Sequence, residues 1–168
     1  MSIMIEEGYR PGCIGRVAQL HAAYYSRANG FGVEFEAKVA RELGDFCRSY
    51  TKGRDGLWLS VDAKEIQGSI AIDGSNAVTD GVHLRWFITS QALQGHGVGR
   101  QLLAKALEFV DIKGYERTCL WTFDGLHAAR YLYELHGFRL VHESLGSQWG
   151  TEVREQKLVR QLPRQVSG

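Results

Sequence analysis

Gln94-Gly95-His96-Gly97-Val98-Gly99-Arg100 is a glycine-rich loop with an apolar, β-like run before it (residues 84–89) and a helical one behind it. In that following segment, Val98–Lys113, the residues Val98, Leu102, Leu103, Ala106, Phe109 and Val110 form one broad apolar stripe, and Gly114 is placed to end the helix. A strand, a glycine loop and a helix in succession gather bare backbone N–H groups around one point. The first N–H groups of a helix have no internal partners and sit at the positive end of its dipole. Glycine removes the Cβ that would hold a ligand's oxygens away from the backbone. The stretch therefore predicts an anion site, with phosphate as the natural occupant.

Two phosphate loops are excluded by spacing. A P-loop needs Lys and Ser or Thr directly after its last glycine, and Gly99 is followed by Arg100-Gln101. The dinucleotide fingerprint G-x-G-x-x-G would need glycine at Arg100 or Leu102.

Working outward, residues 57–61 and 66–72 read as a hairpin about Asp62-Ala63-Lys64-Glu65, and Val82–Thr89 as the strand entering the loop. Ahead of them, Ile3, Ile5 and Tyr9 begin a strand that Arg10-Pro11-Gly12 breaks. One helix then carries Ile14, Val17, Ala18, His21 and Ala22 and fails at Asn29-Gly30. A second carries Phe35, Val39, Leu43 and Phe46 on one face. Behind the loop's helix, Arg117–Phe123 alternates as a strand should, and Asp124 is placed to cap a helix running to His136. Gly137 ends that helix, and residues 138–141 and 152–158 give two last strands. The order β-α-α-β-β-β-α-β-α-β-β predicts a mixed sheet in an α/β (α+β) layer fold.

Composition narrows the function. The chain has 168 residues, which suits one domain with a real core. Twenty Lys and Arg against 19 Asp and Glu, scattered along the chain, give a net charge of +1 and no electrostatic case for nucleic acid or an anionic membrane. No apolar run approaches the roughly 18 residues of a membrane span, and the N-terminus lacks signal-peptide features. Cys13, Cys47 and Cys119 are widely spaced and read as reduced thiols of a cytoplasmic protein. The six histidines form no ligand-spaced cluster, so no metal is expected.

Gln94-x-x-Gly97-x-Gly99 after Leu84-Arg85-Trp86-Phe87-Ile88-Thr89 resembles the acyl-CoA signature Q/R-x-x-G-x-G/A of the GNAT superfamily of N-acetyltransferases. Downstream, Ala128-Ala129-Arg130-Tyr131-Leu132-Tyr133-Glu134-Leu135-His136-Gly137-Phe138 is similar to that family's A-x-x-x-Y-E-x-x-G-F helix end. Tyr9-Arg10-Pro11-Gly12 before a helix resembles how these domains open. The likeness covers about residues 4–160 of a single domain, 1–168.

The resemblance implies a GNAT-like, mostly antiparallel sheet of 6–7 strands flanked by about four helices. It implies an enzyme that moves the acetyl group of acetyl-CoA to a primary amine, on a small molecule or a protein, by direct attack in a ternary complex. A non-catalytic acyl-CoA sensor is the alternative. By match, Gln94, Gly95, His96, Gly97, Val98, Gly99 and Arg100 would hold the CoA pyrophosphate. Phe87, Ile88 and Thr89 would pair with the pantetheine amides like another strand, and the N–H of Phe87 or Ile88 would polarise the thioester carbonyl. Tyr133 matches the tyrosine that donates a proton to the CoA sulfur; the alternative is a tyrosine merely packed on the core. The register of a proton-accepting glutamate in some members falls on or near His83, whose side chain suits the task. An exposed strand histidine, with an ordered water as base, is the other reading there. An asparagine common two turns before the tyrosine is replaced by Leu126, with Asp124 and His127 nearby. Tyr24, Tyr25, Phe31, Glu34 and Trp149 are candidates for lining the acceptor site. The implied partners are the amine acceptor and acetyl-CoA, with no nucleic acid or membrane, and a homodimer is compatible with the fold.

Overall fold

The strand that leads into the glycine loop, β4 (Val82–Thr89), lies in the middle of a seven-stranded sheet in the computed structural model, which describes residues 2–162. In chain order the other elements are β1 (Ile3–Glu7), α1 (Cys13–Asn29), α2 (Val33–Arg48), β2 (Gly56–Asp62), β3 (Glu65–Asp73), α3 (Val98–Lys113), β5 (Arg117–Phe123), α4 (His127–Leu135), β6 (Phe138–Gly146) and β7 (Val153–Gln161). The sheet runs β1-β2-β3-β4-β5-β7-β6. Every neighbouring pair is antiparallel except β4 and β5, which are parallel.

Each face of the sheet has its own core because each covering helix has one apolar stripe. Phe35, Val39, Leu43 and Phe46 of α2 lie buried with Val17, Ala18 and Leu20 of α1 on one face. On the other, Leu102, Leu103, Ala106 and Val110 of α3 are fully buried against Ile70, Ile72 and Val82. Burying each such leucine contributes about 2 kcal/mol. Ala63 and Lys64 take φ values of 49° and 68°, the twisted two-residue turn that the β2–β3 hairpin needs.

The predicted element order holds, and Val82–Thr89, Val98–Lys113 and Arg117–Phe123 have the predicted bounds. Two expectations are corrected. The last strands are longer than 138–141 and 152–158, because β6 and β7 zip together along their whole length. Asp124 does not cap α4: the helix starts at His127 after Leu126, and the Asp124 N–H donates instead to the Arg154 carbonyl at 3.0 Å.

Candidate active site

The parallel pair β4 and β5 is joined only at Val82–Thr118 and His83–Cys119. Beyond those residues the strands part, and the backbone groups along their inner edges are left for something extended to bond. A bulge in β4 adds to the divergence. Trp86 and Phe87 together oppose Ile70 of β3, and Trp86 has φ 49°, a strained value for a bulky residue. What holds it is Ser69 of β3, fully buried, whose Oγ donates to the Trp86 carbonyl at 2.6 Å.

The loop closes the open end of this wedge. A short 3-10 turn, Gln91–Leu93, pins it through the buried Leu93, and Gly95 and Gly97 take φ values of 82° and 74°. α3 then starts with no side-chain cap. Its first backbone bond is from Gln101 N to Gly97 O at 3.1 Å. The N–H groups of Gly95, Gly97, Val98, Gly99 and Arg100 donate to no carbonyl among the described residues. They sit at the positive end of a 16-residue helix, an arrangement that attracts an anion. Val98 is buried and fixes the loop, while Gln94, His96 and Arg100 are exposed around it. Gly99 faces the Phe87 ring and Thr89: a Cβ placed there would lie 3.6 Å from the ring and 4.0 Å from the threonine methyl. Ser90, between β4 and the loop, has a buried hydroxyl with no partner. Sequence reasoning passed over both Ser69 and Ser90, since neither belongs to a motif.

Tyr133 of α4 enters the wedge from the α3 side. It is buried, with ring centroids 6.0 Å from Phe87 and 5.8 Å from Phe138. Its hydroxyl bonds to no protein group among the described residues. Burial pushes its pKa well above the ordinary tyrosine value, with Tyr25 adding to the rise. The side chain is therefore protonated at neutral pH and can give, not take, a proton.

His83 lies at the opposite end of β4. Its Nε2 is 3.1 Å from Asp80 Oδ2, and the Lys157 ammonium lies 3.2 and 3.4 Å from the two Asp80 oxygens. The hydrogen bond from His83 and then the lysine charge hold the Asp80 carboxyl below its usual range. Asp80, His83 and Cys119 bring potential ligand atoms within 4.8 Å of one another, a grouping with no sequence spacing to announce it. Lys157 already supplies the positive charge there. Burial pushes the Cys119 thiol up to about 11, which suits core packing better than nucleophilic attack.

On the α1–α2 side, the predicted acceptor residues converge into an aromatic wall. Phe123, at the end of β5, has ring centroids 5.9 Å from Tyr25, 5.3 Å from Phe31 and 5.5 Å from Trp149. Tyr24 sits edge-on to Tyr25 at 4.9 Å. Gly150, in the β6–β7 loop, packs against Glu34 of α2, so that loop closes over the helix start. Phe123 is the residue that joins these parts, and it was not among the sequence candidates. His127, at the start of α4 and next to the Leu126 that stands in the register of the family's asparagine, makes no side-chain hydrogen bond among the described residues.

The family profile described as an acetyltransferase (GNAT) domain matches residues 53–140, from just before β2 into β6. The chain belongs to the GNAT acetyltransferase family. Membership implies an acyltransferase, and the matched residues include the wedge, the glycine loop and Tyr133 but leave out α1, α2 and β7. Several hundred solved chains share the fold. One is yncA of Salmonella typhimurium, solved with its cofactor acetyl-CoA, at 13% identity over 100% of this chain and 98% of that one, with a TM-score of 0.76. An acetyltransferase of Streptococcus agalactiae matches at 18% identity over 95% and 98%, TM-score 0.73. A protein proposed to be a phosphinothricin N-acetyltransferase matches at 18% identity over 97% and 100%, also with a TM-score of 0.73. At such identities the likeness speaks for the fold. No curated protein sequence matches. Among the described residues, no helix of this GNAT domain is long and apolar enough to cross a membrane.

Proposed function

We propose that this protein is an N-acetyltransferase that passes the acetyl group of acetyl-CoA to a primary amine by direct attack in a ternary complex. One observation carries the reading: among the described residues the β4–β5 wedge has five unpartnered N–H groups at its mouth and, on its wall, the buried Tyr133, whose hydroxyl bonds to no protein group. The pyrophosphate of CoA fits the N–H groups of Gly95, Gly97, Val98, Gly99 and Arg100, with the Arg100 side chain adding charge. The pantetheine arm fits the parted edge of β4, where the bulge turns the backbone of Phe87 and Ile88. An N–H there stabilises negative charge that grows on the thioester oxygen as the amine attacks. Tyr133 gives its proton to the departing sulfur.

His83 serves as the proton acceptor in this reading, with Asp80 orienting its ring. It lies four positions before Phe87, about 13 Å along a strand, so the proton reaches it through water. The non-catalytic sensor alternative leaves both the protonated Tyr133 and the aromatic acceptor wall without a task.

The test is acetyl-CoA-dependent thiol release across a panel of amines, with the acylated product identified by mass. Release without any acetylated amine would sink the reading. The bulge supplies a second test. Ser69→Ala leaves the Trp86 carbonyl without its donor and is expected to cost about 1–3 kcal/mol of stability by chemical denaturation. It should also raise the KM for acetyl-CoA, because the same carbonyl fixes the strand edge that receives the pantetheine. A variant with unchanged KM would separate the bulge from cofactor binding.

A further inference from the structure

Two carboxylates of the described residues are buried, Asp55 at 1% and Glu155 at 9% exposure. Asp55 has the Arg54 guanidinium at 2.9 Å, whereas Glu155 has no cationic side chain within 4.0 Å among the described residues. Its oxygens accept from one neutral residue, Gln148, through the backbone N–H at 2.9 Å and Nε2 at 2.8 Å. Those bonds aim the carboxylate but leave its charge uncompensated. Buried carboxylates are normally paired, because desolvation makes a lone one costly.

The position of Glu155 says where a counter-charge would come from. In the β5–β7 ladder Glu155 stands opposite Phe123, so the two side chains share a face of the sheet. Phe123 is the centre of the aromatic wall, and Gln148, which aims the carboxylate, precedes the Trp149 that packs on Phe123. The carboxylate fills the space beside Gly146 that any side chain there would need. Glu34, packed against Gly150 of the same loop, has no ion pair among the described residues and adds to the negative field. Aromatic faces beside a carboxylate also attract cations.

We infer that Glu155 binds a positively charged group of the acceptor, and that the acceptor is a basic amine carrying a second cationic group, as a diamine does. The bound group is not the nitrogen that attacks. A carboxylate stabilises the protonated amine it holds and so suppresses its nucleophilicity. The acetylated nitrogen therefore lies at the other end of the molecule, towards the wedge. This inference rests on the N-acetyltransferase reading for the identity of the acceptor, while the binding site itself does not.

The experiment compares 1,4-diaminobutane, butylamine and 4-aminobutyrate, which end the same short chain in a cation, a methyl group and an anion. The wild-type protein is expected to prefer the diamine over butylamine by about tenfold or more in kcat/KM, with 4-aminobutyrate poorest. Glu155→Gln should raise the KM for the diamine by about tenfold or more and so erase the preference for the diamine over butylamine. Equal preference for diamine and butylamine in the wild type, or an equal loss with all three amines in the variant, would overturn the inference and leave Glu155 as a clamp on its loop. Calorimetric titration of 1,4-diaminobutane and of butylamine into the wild-type protein with CoA present gives a readout that needs neither turnover nor a folded variant. Diamine binding that exceeds butylamine binding supports the site, and equal binding overturns it. If the diamine binds selectively but no amine is acetylated, the transfer reading fails and the Glu155 site stands.

Discussion

Tyr133→Phe is expected to lower kcat for acetyl transfer by about a hundredfold or more, with acetyl-CoA binding and thermal stability unchanged. The substitution deletes one oxygen and keeps the ring. The ring is what packs, 6.0 Å from Phe87 and 5.8 Å from Phe138. The oxygen bonds to nothing in the described protein, so its removal strands no partner and opens no cavity. A purely structural tyrosine would therefore show no effect on turnover. A proton donor would show a large one, since the leaving thiolate would depart uncompensated. The raised pKa of Tyr133 adds a pH signature. Because its folded pKa lies above the ordinary value of about 10, the donor stays protonated through the neutral and mildly alkaline range. Tyr133 should thus impose no alkaline fall in kcat below about pH 10 in the wild type. Thiol release gives kcat, calorimetry gives Kd, and a melting curve gives stability. An unchanged kcat would remove Tyr133 from the chemistry.

The parts of the fold that position this site were legible because their signals are local. The stripe of α3 repeats every three or four residues and ends at Gly114, which takes φ 74°, as a helix-terminating glycine does. β4 alternates cleanly between buried and half-buried residues, whereas β5, covered on both faces, is read from its short apolar run Cys119–Phe123. β6 hid most of its length because it is an edge strand in which only Phe138 is buried, so Arg139 to Leu145 show no alternation to read. Asp124 misled for a similar reason. Its residue type fits a cap, but the β5–β7 ladder continues to Asp124 N and Arg154 O and claims the position first.

The site divides along the same line. Its cofactor half is a contiguous motif in which Gly95 and Gly97 take a left-handed backbone conformation, so the sequence carries it almost whole. Its acceptor half is assembled from α1, α2, the end of β5 and the β6–β7 loop, which meet only in three dimensions. Nothing marks Glu155 among 19 acidic residues in the sequence. What distinguishes it is burial without a cation, a property of its neighbours rather than of its own segment. Likewise Asp80 and His83, three residues apart, meet Lys157 from the far end of the chain only through the fold.

Gly99→Asp should separate the two roles of the loop by moving stability and cofactor binding in opposite directions. Gly99 lies in the first turn of α3 and is not among the glycines with positive φ, so aspartate can take its backbone conformation. The nearest atom to a new Cβ would be in the Phe87 ring at 3.6 Å, an ordinary contact. α3 has neither an acidic residue in its first turn nor a side-chain cap. An aspartate there interacts well with the helix dipole, and replacing a helical glycine adds a further gain of about 0.5 kcal/mol. The ligand-free protein should therefore melt at the same temperature or slightly higher. The same carboxylate would stand among the N–H groups assigned to the pyrophosphate, where like charges cost several kcal/mol, and acetyl-CoA binding should weaken by about a hundredfold or more. At a ligand concentration that stabilises the wild type by about 2.7 kcal/mol, the variant should gain only about 0.4 kcal/mol. Gly99→Ala is the control: it adds the Cβ without the charge and should keep most of the affinity. If the aspartate variant bound acetyl-CoA as tightly as the alanine variant, the anion would have to sit elsewhere than at the start of α3. A loss of affinity confined to the aspartate variant, in a protein that has become no less stable, would assign the pyrophosphate to these N–H groups by charge alone.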